Sequence, residues 1–189
     1  MKLIVFLNYR FFEKQLELAD KYDLPLFLHC RKAHEDLCEI LERNKDKIRK
    51  GGVVHTFDGT LEEAKKLIAM GFHIGINGCS IKSQENLDVI KEIPNDKLMI
   101  ETDAPWCEIR PTHASNKHVK TVFDMVKNKE KKKWDKNVLV RGRNEPVCVI
   151  QILEVISAIK NEDAEKLSEI FYQNTLDVFF PVIKEDEED

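Results

Sequence analysis

Leu98-Met99-Ile100-Glu101-Thr102-Asp103-Ala104-Pro105-Trp106 decides the architecture. An apolar run ends in two carboxylates and is then stopped by Pro105, the pattern of a short buried strand that delivers polar side chains at its end. The same grammar occurs upstream. Leu24-Pro25-Leu26-Phe27-Leu28-His29 and Gly51-Gly52-Val53-Val54-His55 each close on a metal-competent imidazole, and Phe72-His73-Ile74-Gly75-Ile76-Asn77 closes on an amide. These ends recur about every 25 residues, the length of one strand plus one crossover helix.

The segments between them carry helical signals. A helix is expected from about Tyr9 to Tyr22, with Phe12, Leu16 and Ala19 on one face, and another from about Lys32 to Ile48. Thr60 with Glu63 three residues on forms a capping box for a helix over 61–70, which Gly71 ends. Ser83 caps a fourth helix that Pro94 blocks. Residues 2–7 are expected to form an additional strand. Strands alternating with helices imply an α/β fold with parallel strands and right-handed crossovers. Beyond Trp106 the rhythm stops. Residues 107–145 read as irregular and contain a lysine-rich run, 127–133. Helices are expected over about 146–160, opened by Pro146, and about 163–178. One domain is expected over 1–182, with 183–189 a disordered acidic tail.

The 30 basic and 34 acidic residues nearly balance, for a net charge of −4, so no global charge directs the chain to nucleic acid or membrane. Five cysteines, an odd number without regular spacing, read as reduced and mostly buried thiols. Neither a signal segment nor a membrane-spanning run is legible, which points to the cytoplasm or nucleus.

His29, His55 and Asp103 fall at the same phase of the repeat, where a parallel sheet gathers its chemistry on one rim. Taken singly, a strand-end histidine is more often structural. As a set, two imidazoles and a carboxylate suit a divalent ion such as zinc or manganese. Glu101 and Asp103 alternate along the strand and are expected on one side, with Asp103 a ligand and orienter of water and Glu101 behind it. Glu101 pairing with Arg31 is the plainer reading. Arg31, two residues past His29, suits a phosphate; a surface ion pair competes evenly. Asn144 reads as a helix cap or phosphate contact. His34 and His73 are expected to be exposed and inert. The lysine-rich run reads as solvated loop or as a track for a phosphate backbone.

His29-Cys30-Arg31, Gly52-Val53-Val54-His55-Thr56-Phe57-Asp58-Gly59, Glu101 to Trp106 and Arg143-Asn144-Glu145-Pro146 together resemble the TatD family of metal-dependent deoxyribonucleases, closest to its eukaryotic TatD DNase domain-containing 1 branch. The resemblance runs from about Phe11 to Pro181. It implies a TIM-like (β/α) barrel of the metallo-dependent hydrolase type, with one or two divalent ions (Mg, Mn or Zn) at its mouth and hydrolysis of DNA phosphodiesters. On this pattern His29 and His55 match the two histidines of one metal. Asp103 matches the carboxylate of the other, which also handles the water proton.

The chain departs from the family in one large respect. The family's first-strand His-x-His and its Gly-Glu-x-Gly-Leu-Asp motif, whose Glu bridges the metals, have no counterpart, so only about four C-terminal βα units are expected. Such a half-sheet exposes two edges and an apolar inner face. Two further expectations follow: a homo-oligomer that covers the edges, or a truncated, catalytically silent form that binds nucleic acid or a partner half-barrel.

Overall fold

The computed structural model describes residues 2–123, 140 and 142–181, with side chains from residue 8 onward. The lysine-rich run, Arg141 and the acidic tail lie outside the described residues. Helix α1 (Lys2–Lys21) leads into four strands joined by three crossover helices: β1 (Leu26–His29), α2 (His34–Arg43), β2 (Gly52–His55), α3 (Leu61–Ala69), β3 (Phe72–Ile76), α4 (Gln84–Glu92) and β4 (Leu98–Ile100). Helices α5 (Val149–Lys160) and α6 (Ala164–Phe179) follow. All pairings are parallel and the order is β1-β2-β3-β4, so each strand adds on the same side of its predecessor. A doubly wound sheet reverses direction at a switch point; this one winds steadily, as part of a barrel does.

The register places Leu26 opposite Gly52 and His29 opposite His55, which brings two strand-end imidazoles side by side. Gly52 (φ 144°) is needed there, because a Cβ at this position would come within 1.9 Å of the Leu26 carbonyl oxygen. One face of the sheet carries Leu28, Val54, Ile74, Ile76 and Leu98, all buried in a core that includes Leu41, Leu67, Ile90, Ile156 and Phe171. The other face is covered unevenly: Val53 and Met99 are buried, while Phe27 is 62% exposed. The end of α6 reaches this face, with the Phe179 and Phe27 ring centres 6.4 Å apart. Asn174 anchors the helix by donating to the Asn95 and Leu98 carbonyls at the start of β4.

The expected capping box of Thr60 with Glu63 forms, and the Ser83 cap proves to be a second box, closed by Asn86. Five expectations change. Residues 2–7 belong to α1, not to a strand, because no Gly or Pro interrupts helix propagation between Lys2 and Lys21. Helix α2 begins at His34 because Lys32 takes φ 54°, and it ends at Arg43, ahead of a 3₁₀ turn at Lys45–Lys47. Pro146 opens a 3₁₀ turn (Pro146–Cys148), and the α-helix starts after it. Another short 3₁₀ helix, Ala114–His118, lies in the segment expected to be irregular. Of the five free cysteines only Cys30 is fully buried.

Candidate active site at the strand ends

The parallel register does for His29 and His55 what their sequence phase suggests. His29 Nδ1 and His55 Nε2 lie 2.8 Å apart. The Phe27 ring packs beside His55, with centroids 4.8 Å apart. The far side of the His55 ring is also engaged: Nδ1 is 2.9 Å from Thr56 Oγ1 and 3.4 Å from Glu101 Oε1. Thr56 takes φ 52°, a left-handed backbone uncommon for a β-branched residue, and its N–H donates to Glu101 Oε1 at 2.7 Å. Gly75 leaves the space: a Cβ there would stand 3.0 Å from the His55 Cα and 3.2 Å from Glu101 Oε2.

Strand β4 ends at Ile100, so strand alternation does not set the direction of Asp103 as the sequence suggested. A left-handed backbone (φ 54°) does, and Asp103 Oδ2 accepts from the Cys107 thiol at 3.3 Å. Burial, then contact with Cys79 and Asp103, pushes the Cys107 pKa well above the ordinary thiol value, so the group stays a proton donor. Asn144 is buried. Its Nδ2 donates to the Thr102 carbonyl at 2.9 Å, its Oδ1 accepts from Glu145 N, and its own N–H donates to the Pro105 carbonyl. Its side chain is therefore engaged with the loop that carries Asp103. Arg31 is exposed, with no hydrogen bond or ion pair among the described residues. Glu101 does not pair with it; its partners are Thr56, Asn77 and His55.

Thr56 and Asn77 were not singled out as site residues from the sequence. Asn77 ended its strand at the same phase as the histidines, which was the available signal. His34 is not exposed: its side chain is only 9% accessible, its ring lies edge-on to Phe57, and Nε2 stands 4.0 Å from Glu63 Oε2, while neither ring nitrogen has a hydrogen-bond partner among the described residues. His73 is also partly buried, not exposed.

Burial is the main cause that pushes the Glu101 pKa above the ordinary glutamate value, with the Asp103 charge adding to it; the Thr56 hydrogen bonds and His55 pull the other way. A carboxyl whose folded pKa lies above its unfolded one takes up a proton on folding between the two values. Its contribution is most favourable below that window and declines as pH rises through it. Glu101→Gln is therefore expected to raise the Tm of the cation-free protein at neutral pH and to change it little near about pH 4. A lower Tm for the variant at neutral pH would show instead that the ionised carboxylate is net stabilising.

Donor chemistry supplies the test of fit to a divalent ion. Two nitrogens sharing one ion at about 2.0–2.1 Å stand roughly 2.9–3.4 Å apart, and the orienting of the remaining imidazole nitrogen by an oxygen partner is the usual accompaniment. His29 and His55 supply such donors, and their facing nitrogens, 2.8 Å apart at hydrogen-bond distance, need to open only slightly to share an ion. Asp103 does not join them in a ready cage: among the described residues no three His, Cys, Asp or Glu side chains gather to hold a metal. Among these residues, too, no helix is long and apolar enough to cross a membrane.

A steadily wound parallel sheet with two imidazoles side by side at its C-terminal rim is an α/β arrangement of the TIM-barrel type. The chain belongs to the TatD-related DNase family, whose sequence profile matches residues 7–180. It is 42% identical to a deoxyribonuclease Tat-D of Schizosaccharomyces pombe over 89% of this chain and 54% of that protein. It is 38% identical to a putative deoxyribonuclease, a TATDN1 homolog of Encephalitozoon cuniculi, over 93% of this chain and 58% of the relative. A crystal structure of a TatD family hydrolase from Entamoeba histolytica superposes with a TM-score of 0.81 at 37% identity, covering 89% of this chain and 55% of that one. The chain thus spans about half the length of the curated relatives it matches.

Proposed function

We propose that this chain carries a TatD-type nuclease site that hydrolyses DNA phosphodiester bonds, with His29 and His55 as ligands of a divalent cation. The observation that carries this reading is the 2.8 Å approach of His29 Nδ1 to His55 Nε2, with the opposite nitrogen of His55 held by Thr56 and Glu101. His29 and His55 would hold the ion, which when bound would supply polarisation of the scissile phosphate and a more acidic water. Asp103 takes the proton of the attacking water, and the Cys107 thiol holds its Oδ2 in place. Glu101 orients His55, while Asn144 supports the Asp103 loop through Thr102. Arg31, exposed two residues beyond His29, offers a guanidinium fork to the DNA phosphates.

A second reading, a catalytically silent form that binds nucleic acid or a partner half-barrel, is favoured, among the described residues, by β1 and β4 standing as the outer strands of the sheet, the exposed Phe27 and the lack of a third ligand beside the histidines. Chelation separates the two. The purified chain with Mg²⁺, Mn²⁺ or Zn²⁺ is expected to cut a labelled single- or double-stranded oligonucleotide, to lose activity in EDTA and to regain it when metal is returned. Retention of DNA in a gel shift without cleavage under any of the three metals would establish the silent form. Cleavage indifferent to EDTA would remove the metal from the reaction.

A further inference from the structure

We propose that Asn77, acting with Thr56, is a positioning residue that holds His55 in its Nδ1-protonated tautomer, so that the Nε2 lone pair faces His29 and the cation. The inference rests on the reading of His29 and His55 as cation ligands. Its protons can be counted one bond at a time. The Cys79 backbone N–H points at Asn77 Oδ1, 2.8 Å away, and a backbone amide can only donate. This contact sets which end of the Asn77 amide is oxygen. Its Nδ2 therefore donates to Thr56 Oγ1 at 2.7 Å and to Glu101 Oε1 at 3.0 Å. One lone pair of the Thr56 hydroxyl is filled in this way.

Thr56 Oγ1 and Glu101 Oε1 both face His55 Nδ1. A carboxylate at that distance repels a nitrogen lone pair and attracts an N–H, which places the ring proton on Nδ1. The Thr56 hydroxyl then accepts from His55 with its remaining lone pair and turns its own proton to Glu101 Oε1, 3.4 Å away. A neutral imidazole has a single N–H, so Nε2 is left as an acceptor, and it meets His29 Nδ1–H. Asn77 is fully buried, so no solvent competes for its amide. Without that amide, the Thr56 hydroxyl regains a free lone pair, Glu101 loses a donor, and either tautomer of His55 becomes available.

Long-range ¹H–¹⁵N NMR of the histidine rings, recorded on the full chain at alkaline pH without cation or DNA, reads the tautomer directly. Wild type is expected to show His55 solely as Nδ1–H, and Asn77→Leu a mixture with Nε2–H. Thr56→Val is expected to give the same mixture, whereas Thr56→Ser, which keeps the hydroxyl, restores the wild-type ring; this pair carries the test if Asn77→Leu does not fold. Calorimetric Mn²⁺ affinity is expected to fall about 10–100-fold in Asn77→Leu or Thr56→Val. An Nε2–H ring in wild type, or an Nδ1–H ring that survives loss of both groups, overturns the proposal. A changed tautomer with unchanged Mn²⁺ affinity overturns its link to the cation. If rings and affinity behave as expected while even wild type leaves DNA uncut, the nuclease reading fails and the positioning role of Asn77 stands.

Discussion

Asp103→Asn is expected to lower the rate of DNA cleavage by this chain about 10²–10⁴-fold, the range that loss of a positioned proton acceptor produces. The substitution keeps the shape of the side chain and removes its charge and basicity. Folding should be spared for a specific reason: position 103 takes φ 54°, a conformation that asparagine adopts as readily as aspartate. The Cys107 thiol can still donate to the retained oxygen at 103. Single-turnover cleavage of a labelled oligonucleotide at saturating metal, with a parallel thermal melt, separates chemistry from stability. A variant that cuts within two- or threefold of wild type would show that this carboxylate is not the group that takes the proton. A Tm that collapses along with the rate would move its role to the fold.

Gly52→Ala should cost on the order of 4 kcal/mol, at the severe end of single substitutions. The added methyl would meet the Leu26 carbonyl oxygen at 1.9 Å, and φ 144° is itself unfavourable for any residue with a Cβ. The clash is with main chain, so a rotamer change cannot relieve it. The strands must separate at the first rung of the pairing whose last rung aligns His29 with His55. The expected result is a lower midpoint in urea with cation affinity reduced as well. Gly71→Ala is the control: a Cβ there meets nothing within 4 Å, so only the positive φ of 93° opposes it, and its cost should be near 1 kcal/mol. Equal losses for the two variants would refute the collision at Gly52 as the cause.

The strand ends were legible because parallel strands with crossover helices repeat at a regular interval, and a polar residue at the end of each apolar run marks the phase. His29, His55 and Asp103 stand out by that rule alone. The Thr60/Glu63 capping pair and the Ser83 cap were legible too, since a cap is a contact between residues three apart. The first residues were not. A short run such as Leu3 to Leu7 fits either a strand or a buried helix face, and continuity with the residues that follow settled it as helix.

The order of polar strand ends and the family they mark were therefore determined by the sequence, because both are written in near-neighbour patterns and spacing. What tertiary structure decided is which atoms those ends turn toward one another. The contact of Thr56 and Asn77 with Glu101 joins residues 45 and 24 positions apart, and it depends on register, on left-handed turns at Thr56 and Asp103, and on the room left by Gly75. The commitment of Asn144 to Thr102, 42 residues away, is of the same kind. No local propensity encodes such bonds. They exist because burial beside a charged group leaves each donor few partners, and the folded backbone selects among them.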